Sequence, residues 1–333
     1  MGRCVVDTSI ARKEIGGFKF PLGVYPIEPM TAKAGYAVNF EAADGDNNTG
    51  DWEEWPDRYA YEVVVTGDRL DPMLRMLFSL LPPRVFPILD VIGHDAYREI
   101  DPYISYDLCG VDRYLECIAR YRPWLLEDGL CGFGAMCDDP FFYVFLDEHK
   151  ILTIRATPEM KERVERILQA FDLEEVEMPG GADAAAHEHR GVLLAPDDQP
   201  DLMAADEIIE RLKEDWRLVL NVDPESNLDE EGNDLGSTAW RCLVRTLVEV
   251  PKREEGLLRY AEVLLHADCM AQAETLARDA AMKQAGDAVH VAFEPLVVTA
   301  DRVLPKQLRV LLGGKRGALR METGTVHRVR WLN

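Results

Sequence analysis

Leu130-Cys131-Gly132-Phe133-Gly134-Ala135-Met136-Cys137, Asp138-Asp139-Pro140, Phe141-Phe142-Tyr143-Val144-Phe145-Leu146, Asp147-Glu148-His149-Lys150 and Ile151-Leu152-Thr153-Ile154-Arg155 form one continuous stretch that decides the fold class. Three apolar runs of strand length alternate with two short polar breaks of turn composition. Runs this short, joined this tightly, predict a three-stranded antiparallel meander.

Helical spacing appears on both sides of it. Downstream, Thr157 caps and Pro158 opens a helix whose face carries Val164, Ile167, Leu168 and Phe171. Upstream, residues 61–66 are a strand by β-branched content. Asp71-Pro72 then starts a helix striped by Met73, Leu74, Leu77 and Leu80, Pro82-Pro83 stops it, and residues 85–92 return as a strand. A further helix runs over 111–122 to Pro123. A β-α-β unit beside an antiparallel sheet predicts a two-layer α+β domain of ferredoxin-like type over residues 58–177.

The flanks complete the predicted organisation. Residues 1–57, broken by Pro21, Pro26 and Pro29, read as an irregular acidic N-terminal arm. Residues 178–200, with Pro179-Gly180-Gly181 and Pro196-Asp197-Asp198-Gln199-Pro200, read as a linker. A second α+β domain then spans 201–333. It opens with a helix striped by Ile208, Leu212 and Trp216, and its strands fall at 217–222, 240–250 and 259–266. A helix over 270–284 follows, then extended segments at 289–293 and 296–299. The chain closes in a basic C-terminal β-hairpin region that includes a strand at 307–312. Arg58-Tyr59-Ala60-Tyr61-Glu62-Val63 is echoed by Arg259-Tyr260-Ala261-Glu262-Val263, each before a helix. The echo fits either a duplicated ferredoxin-like half or two unrelated β-α-β units.

Composition bounds the function. The chain has 333 residues, 37 Lys+Arg against 60 Asp+Glu, and a net charge of −23. With 47% apolar residues it is too hydrophobic for global disorder. Its charge opposes wholesale coating of a phosphate backbone. The charge is polarised: residues 300–333 carry eight Lys/Arg and two acidic residues, whereas 41–57 carry seven acidic residues and no Lys or Arg. No apolar stretch suits a signal peptide or a membrane span, and the seven cysteines contain no CxxC pair. Reduced thiols in a cytoplasmic protein are expected, with no cofactor and no metal assigned.

Candidate chemistry is sparse. Asp90, His94 and Asp95 lie at the end of a predicted strand, where α/β sites collect, and could hold a divalent metal or act as acid and base. The upstream His that HD-type phosphohydrolases need is missing. Asp147-Glu148-His149 could converge on a metal but has the composition of a turn. His187 and His189, at i and i+2, could share an ion but lack further nameable ligands. Asp44/Asp46/Asn48 and Asn227/Asp229/Glu231 begin like calcium loops and lack the terminal carboxylate. Trp52 and Trp55 are large aromatics in an acidic segment and serve as candidate partner anchors, with Arg316, Arg320, Arg328 and Arg330 as the basic counterpart.

From the sequence, the expected function is a non-enzymatic cytosolic binding or regulatory protein working through protein–protein contact. An acidic inhibitor or immunity-type protein fits the charge. The alternatives are a metal-assisted hydrolase centred on Asp90, His94 and Asp95, and nucleic-acid binding by the basic C-terminal hairpin. Homo-oligomerisation stays open, and no membrane partner is expected.

Overall fold

The computed structural model describes residues 2–43, 55–196, 198–248, 257–285, 295–314 and 321–332. They divide into two compact units, Met1–Ile92 with Asp101–Asn221, and Gly93–Ile100 with Val222–Asn333.

The first unit begins with β1 (Glu14–Ile15), β2 (Phe18–Lys19), β3 (Val24–Pro26) and β4 (Gly35–Glu41). It continues with β5 (Arg58–Val64), α1 (Gly67–Phe78), β6 (Arg84–Ile92), β7 (Ile100–Ile104), β8 (Cys109–Gly110) and α2 (Val111–Glu127). The meander follows as β9 (Cys131–Asp138), β10 (Phe141–Leu146) and β11 (Leu152–Ala156). Then come α3 (Lys161–Ala170), β12 (His187–His189), α4 (Ala205–Trp216) and β13 (Val219–Leu220).

The meander forms as the apolar runs require. Phe145 of β10 pairs with Gly134 on one side and Thr153 on the other, both antiparallel. Around it grows a nine-stranded sheet of order β13-β7-β6-β9-β10-β11-β5-β4, with β8 on β6. Because side chains alternate across a strand, Phe142, Val144 and Leu146 share one face. They join the core with Leu74 and Leu77 of α1, Tyr114 and Trp124 of α2, Val164 and Leu168 of α3, and Trp216 of α4. Each large side chain fully buried there contributes about 2 kcal/mol. Tyr143, Arg155, Glu62 and Asp90 belong to the opposite face by the same alternation.

The second unit holds β14 (Thr238–Val248), β15 (Leu257–Ala267), α5 (Met270–Ala285), β16 (Leu296–Val303), α6 (Pro305–Leu311) and β17 (Val326–Leu332). Its sheet has the order β16-β14-β15-β17. α5 turns buried Ala273, Ala277 and Ala281 inward, small residues that let the helix lie close to the sheet.

The chain is thus mixed α+β with several antiparallel sheets, and four expectations change. The two units have unlike strand orders and do not repeat one ferredoxin-like arrangement. The C-terminal hairpin is replaced by α6 and a single strand, β17, on β15. Pro305 opens that helix, Gln307 Oε1 accepts from the Leu304 N–H, and Leu308, Leu311 and Leu312 pack on Ala239, Leu264 and Val303. A short apolar run cannot by itself separate helix from strand. The 178–200 segment is not a free linker. β12 pairs with β3, and the units divide at Asn221/Val222. The N-terminal arm likewise supplies β4 to the large sheet. The extended segment expected at 289–293 lies outside the described residues. Among the described residues, no helix is long and apolar enough to cross a membrane.

Candidate metal centre

Two segments far apart in sequence meet in the first unit. One is the β10–β11 turn, Asp147–Lys150. The Asp147 carboxylate accepts from the Ile151 N–H at 2.7 Å, and Lys150 takes a left-handed φ of 61° to close the turn. The Lys150 ammonium is buried and donates to the Cys131 carbonyl. Its neighbour His149 instead meets the histidines of β12.

The other segment is β12, antiparallel to β3 with His189 opposite Val24. Two residues apart on a strand, His187 and His189 present their rings to the same side. Their placement depends on a close backbone approach. Arg190 N–H donates to the Gly23 carbonyl at 2.8 Å, and Gly129 N–H to the Arg190 carbonyl at 3.1 Å. A Cβ on Gly23 would lie 2.0 Å from the Gly129 nitrogen, and one on Gly129 would lie 2.0 Å from the Gly23 oxygen. Only glycine fits at either position. Buried Asp128 completes the attachment, accepting from Leu130 N–H at 2.8 Å and Val192 N–H at 2.9 Å. Its burial raises its pKa, against those two hydrogen bonds.

The ring nitrogens define the site. His187 Nδ1 lies 2.8 Å from the Ala185 carbonyl and His189 Nδ1 lies 2.7 Å from the Gly129 carbonyl. A carbonyl can only accept, so both Nδ1 atoms carry hydrogen, and in a neutral ring Nε2 holds the lone pair. Those two Nε2 atoms stand 3.1 Å apart. Two lone pairs aimed at one another repel unless a proton or a metal ion sits between them. Two imidazoles on a tetrahedral zinc at 2.0–2.1 Å place their nitrogens about 3.3 Å apart. The pair is close to that spacing.

His149 supplies the third nitrogen. Its ring centroid is 4.8 Å from each of the others, and one nitrogen from every ring falls within a 4.8 Å span. Its Nδ1 lies 3.2 Å from Glu148 Oε1 and 3.6 Å from Asp147 Oδ2. Carboxylates and carbonyls on the outer nitrogens are the usual means of orienting metal-binding imidazoles.

The electrostatics favour a cation. Burial would lower the His149 pKa, but the hydrogen bonds and charges of Asp147 and Glu148 prevail and push it up to about 10. Burial lowers His189, and the neighbouring histidine charges act the same way. Asp90 is pushed up to about 7, first by burial and then by the negative charges of Glu148 and Asp147. It stands opposite Gly132 in the β6–β9 register. A Cβ at Gly132 would meet Phe145 at 2.9 Å and the Asp147 Cα at 3.0 Å. Three imidazoles suit zinc, copper, iron or nickel better than magnesium or calcium. An ion held by three protein ligands keeps a position for water, whose pKa a zinc ion lowers to about 7.

Of the sequence candidates, Asp90 lies in this unit. His94 is exposed and Asp95 is buried, and both belong to the second unit. There the Asp95 carboxylate accepts from the Arg302 backbone N–H at 2.8 Å, from its guanidinium at 2.9 Å, and from Tyr97 N–H at 2.9 Å. Asp95 is therefore engaged as an ion-pair anchor. Trp55 rests on its own sheet, 5.3 Å from Phe141 and 6.1 Å from Tyr143, with Arg58 and Arg155 over its ring. Trp52, Arg316, Arg320 and the Asp44/Asp46/Asn48 loop lie outside the described residues. Arg328 and Arg330 sit on β17 beside Glu262. In the second calcium-like loop Asn227 bonds Thr238, and Asp229 accepts from the N–H groups of Glu231 and Asn233. Those side chains are spent on the loop itself.

His149, His187 and His189 were visible in the sequence only as two unconnected fragments. A usable signal was the concentration of three of the chain's seven histidines beside two acidic residues. No protein family, curated protein or solved structure matches the chain.

Proposed function

We infer that the protein is a divalent-metal-dependent hydrolase in which His149, His187 and His189 hold a zinc-class ion and Asp90 exchanges a proton with its water. The observation that carries this reading is the His187–His189 pair, with both outer nitrogens committed to carbonyls and both inner lone pairs converging. A shared proton or one metal ion satisfies that arrangement, and the third imidazole, His149, within the same 4.8 Å span favours the ion. The ion would polarise a substrate oxygen and supply hydroxide near neutral pH. Asp90, pushed up to about 7, exchanges protons in the range where a general acid or base works best.

A non-enzymatic role through protein contact had Trp55 as a candidate anchor, and its ring is committed to Phe141 and Tyr143. That leaves the metal reading with the stronger support.

The test compares zinc-loaded and metal-stripped protein on chromogenic carboxylic and phosphoric esters. Metal-dependent turnover is expected, with Asp90→Asn lowering kcat at least a hundredfold while the ion stays bound. Equal rates with and without metal on every ester would overturn the reading.

A further inference from the structure

The face of the second unit's sheet that α6 partly covers carries a separate device. On β15, Tyr260 and Glu262 alternate away from buried Ala261 and Val263. Glu262 is only 1% exposed, yet three guanidinium groups converge on it. Arg241 Nε lies 3.0 Å, Arg328 2.6 Å and Arg330 3.2 Å from its oxygens. One carboxylate cannot neutralise three guanidinium groups. It fixes their forks in place, and with Asp301 opposite Arg241 in the β14–β16 register the three guanidinium groups exceed the carboxylates of this face by one charge. Arg245 adds a second. It stands opposite Tyr260 in the β14–β15 register and has no ion pair among the described residues. Arg328 is engaged on both sides, donating to Glu262 and to the Leu311 carbonyl of α6. Arg241 and Arg330 keep about half of their side chains exposed, and planar forks match phosphate geometry.

We propose that this sheet face binds single-stranded nucleic acid, its phosphates on Arg241, Arg245, Arg328 and Arg330 and a base on Tyr260. Charge complementarity selects a polyanion. Two strand spacings separate the Arg241 and Arg328 backbones by about 10 Å, while their guanidinium groups converge on Glu262 to make one anion site, with Arg245 beside it as a second. An aromatic ring between arginines serves bases and offers nothing to an acidic peptide. The chain's net charge of −23 does not cancel this, because at 0.1 M salt charges beyond about 10 Å are largely screened.

The experiment is fluorescence anisotropy of the full chain with a labelled twelve-nucleotide oligo-dT and oligo-U across a salt series. With two phosphates engaged, one at the Glu262 cluster and one at Arg245, affinity is expected to fall about sevenfold between 50 and 200 mM salt. Arg245→Glu is expected to weaken it at least tenfold, and Tyr260→Ala about tenfold. Arg245 forms no ion pair, so its variant keeps the fold, checked by circular dichroism. Stripping metal leaves this binding unchanged, which separates it from the hydrolase reading. No binding at 50 mM salt, or preference for a poly-aspartate peptide that survives Tyr260→Ala, would overturn the proposal.

Discussion

The Nε2 atoms of His187 and His189 face each other at 3.1 Å while their Nδ1 atoms are tied to the carbonyls of Ala185 and Gly129. The second of those carbonyls is in place because two glycines allow two backbones to touch. Gly129→Ala drives a Cβ to 2.0 Å from the Gly23 oxygen. It is expected to cost about 3 kcal/mol, as overpacking does, and to weaken zinc binding by moving the carbonyl that orients His189. Chemical denaturation and a zinc titration check both. An unchanged affinity in a folded variant would remove Gly129 from the account.

Asp128 makes the same connection through its side chain. Asp128→Ala leaves the Leu130 and Val192 N–H groups without their acceptor inside the protein. A loss of about 2–4 kcal/mol is expected, on a scale of 1–3 kcal/mol per orphaned group. Urea unfolding measures it, and a loss under 0.5 kcal/mol would contradict the role.

Asp90 gives a signed pH dependence. Its pKa is raised, to about 7 against about 4 in an unfolded chain, so its contribution is fully present below pH 4 and is lost as pH rises through 7. In metal-stripped protein, Asp90→Asn is therefore expected to match the parent near pH 4 and to exceed it above pH 7, by up to about 4 kcal/mol. Unfolding curves across pH decide this. A variant less stable than the parent at pH 8 would show that Asp90 is favourably charged.

Asp95 separates anchor from catalyst. Its ion pair with Arg302 is 2.9 Å long, and both side chains are nearly inaccessible. Asp95→Ala leaves a buried guanidinium with less compensation and is expected to cost about 3–5 kcal/mol. Zinc affinity should stay within twofold of the parent. A folded Asp95→Ala protein that loses its metal would restore the residue to the site.

Much of the fold was legible where local pattern and tertiary structure agree. The meander was read from three apolar runs and two turns. β14 and β15 were read as strands over 240–250 and 259–266, within or close to their observed bounds. α6 was misread because seven residues ending in Leu308 and Leu311 fit both periodicities, and packing on Leu264 decides between them. The site was legible in fragments. His187 and His189 share a strand face by simple alternation, but His149 reaches them only because β12 pairs with β3 of the N-terminal arm. That pairing rests on Gly23 and Gly129, whose sequence context gives no sign of the contact.

The proposed site of three imidazoles holds one ion, and metal content measures it directly. Protein loaded with zinc, dialysed and analysed by elemental mass spectrometry should retain about one zinc per chain, and His189→Ala less than a tenth of that. A parent protein that retains none, or a folded His189→Ala variant that retains as much as the parent, would contradict the account.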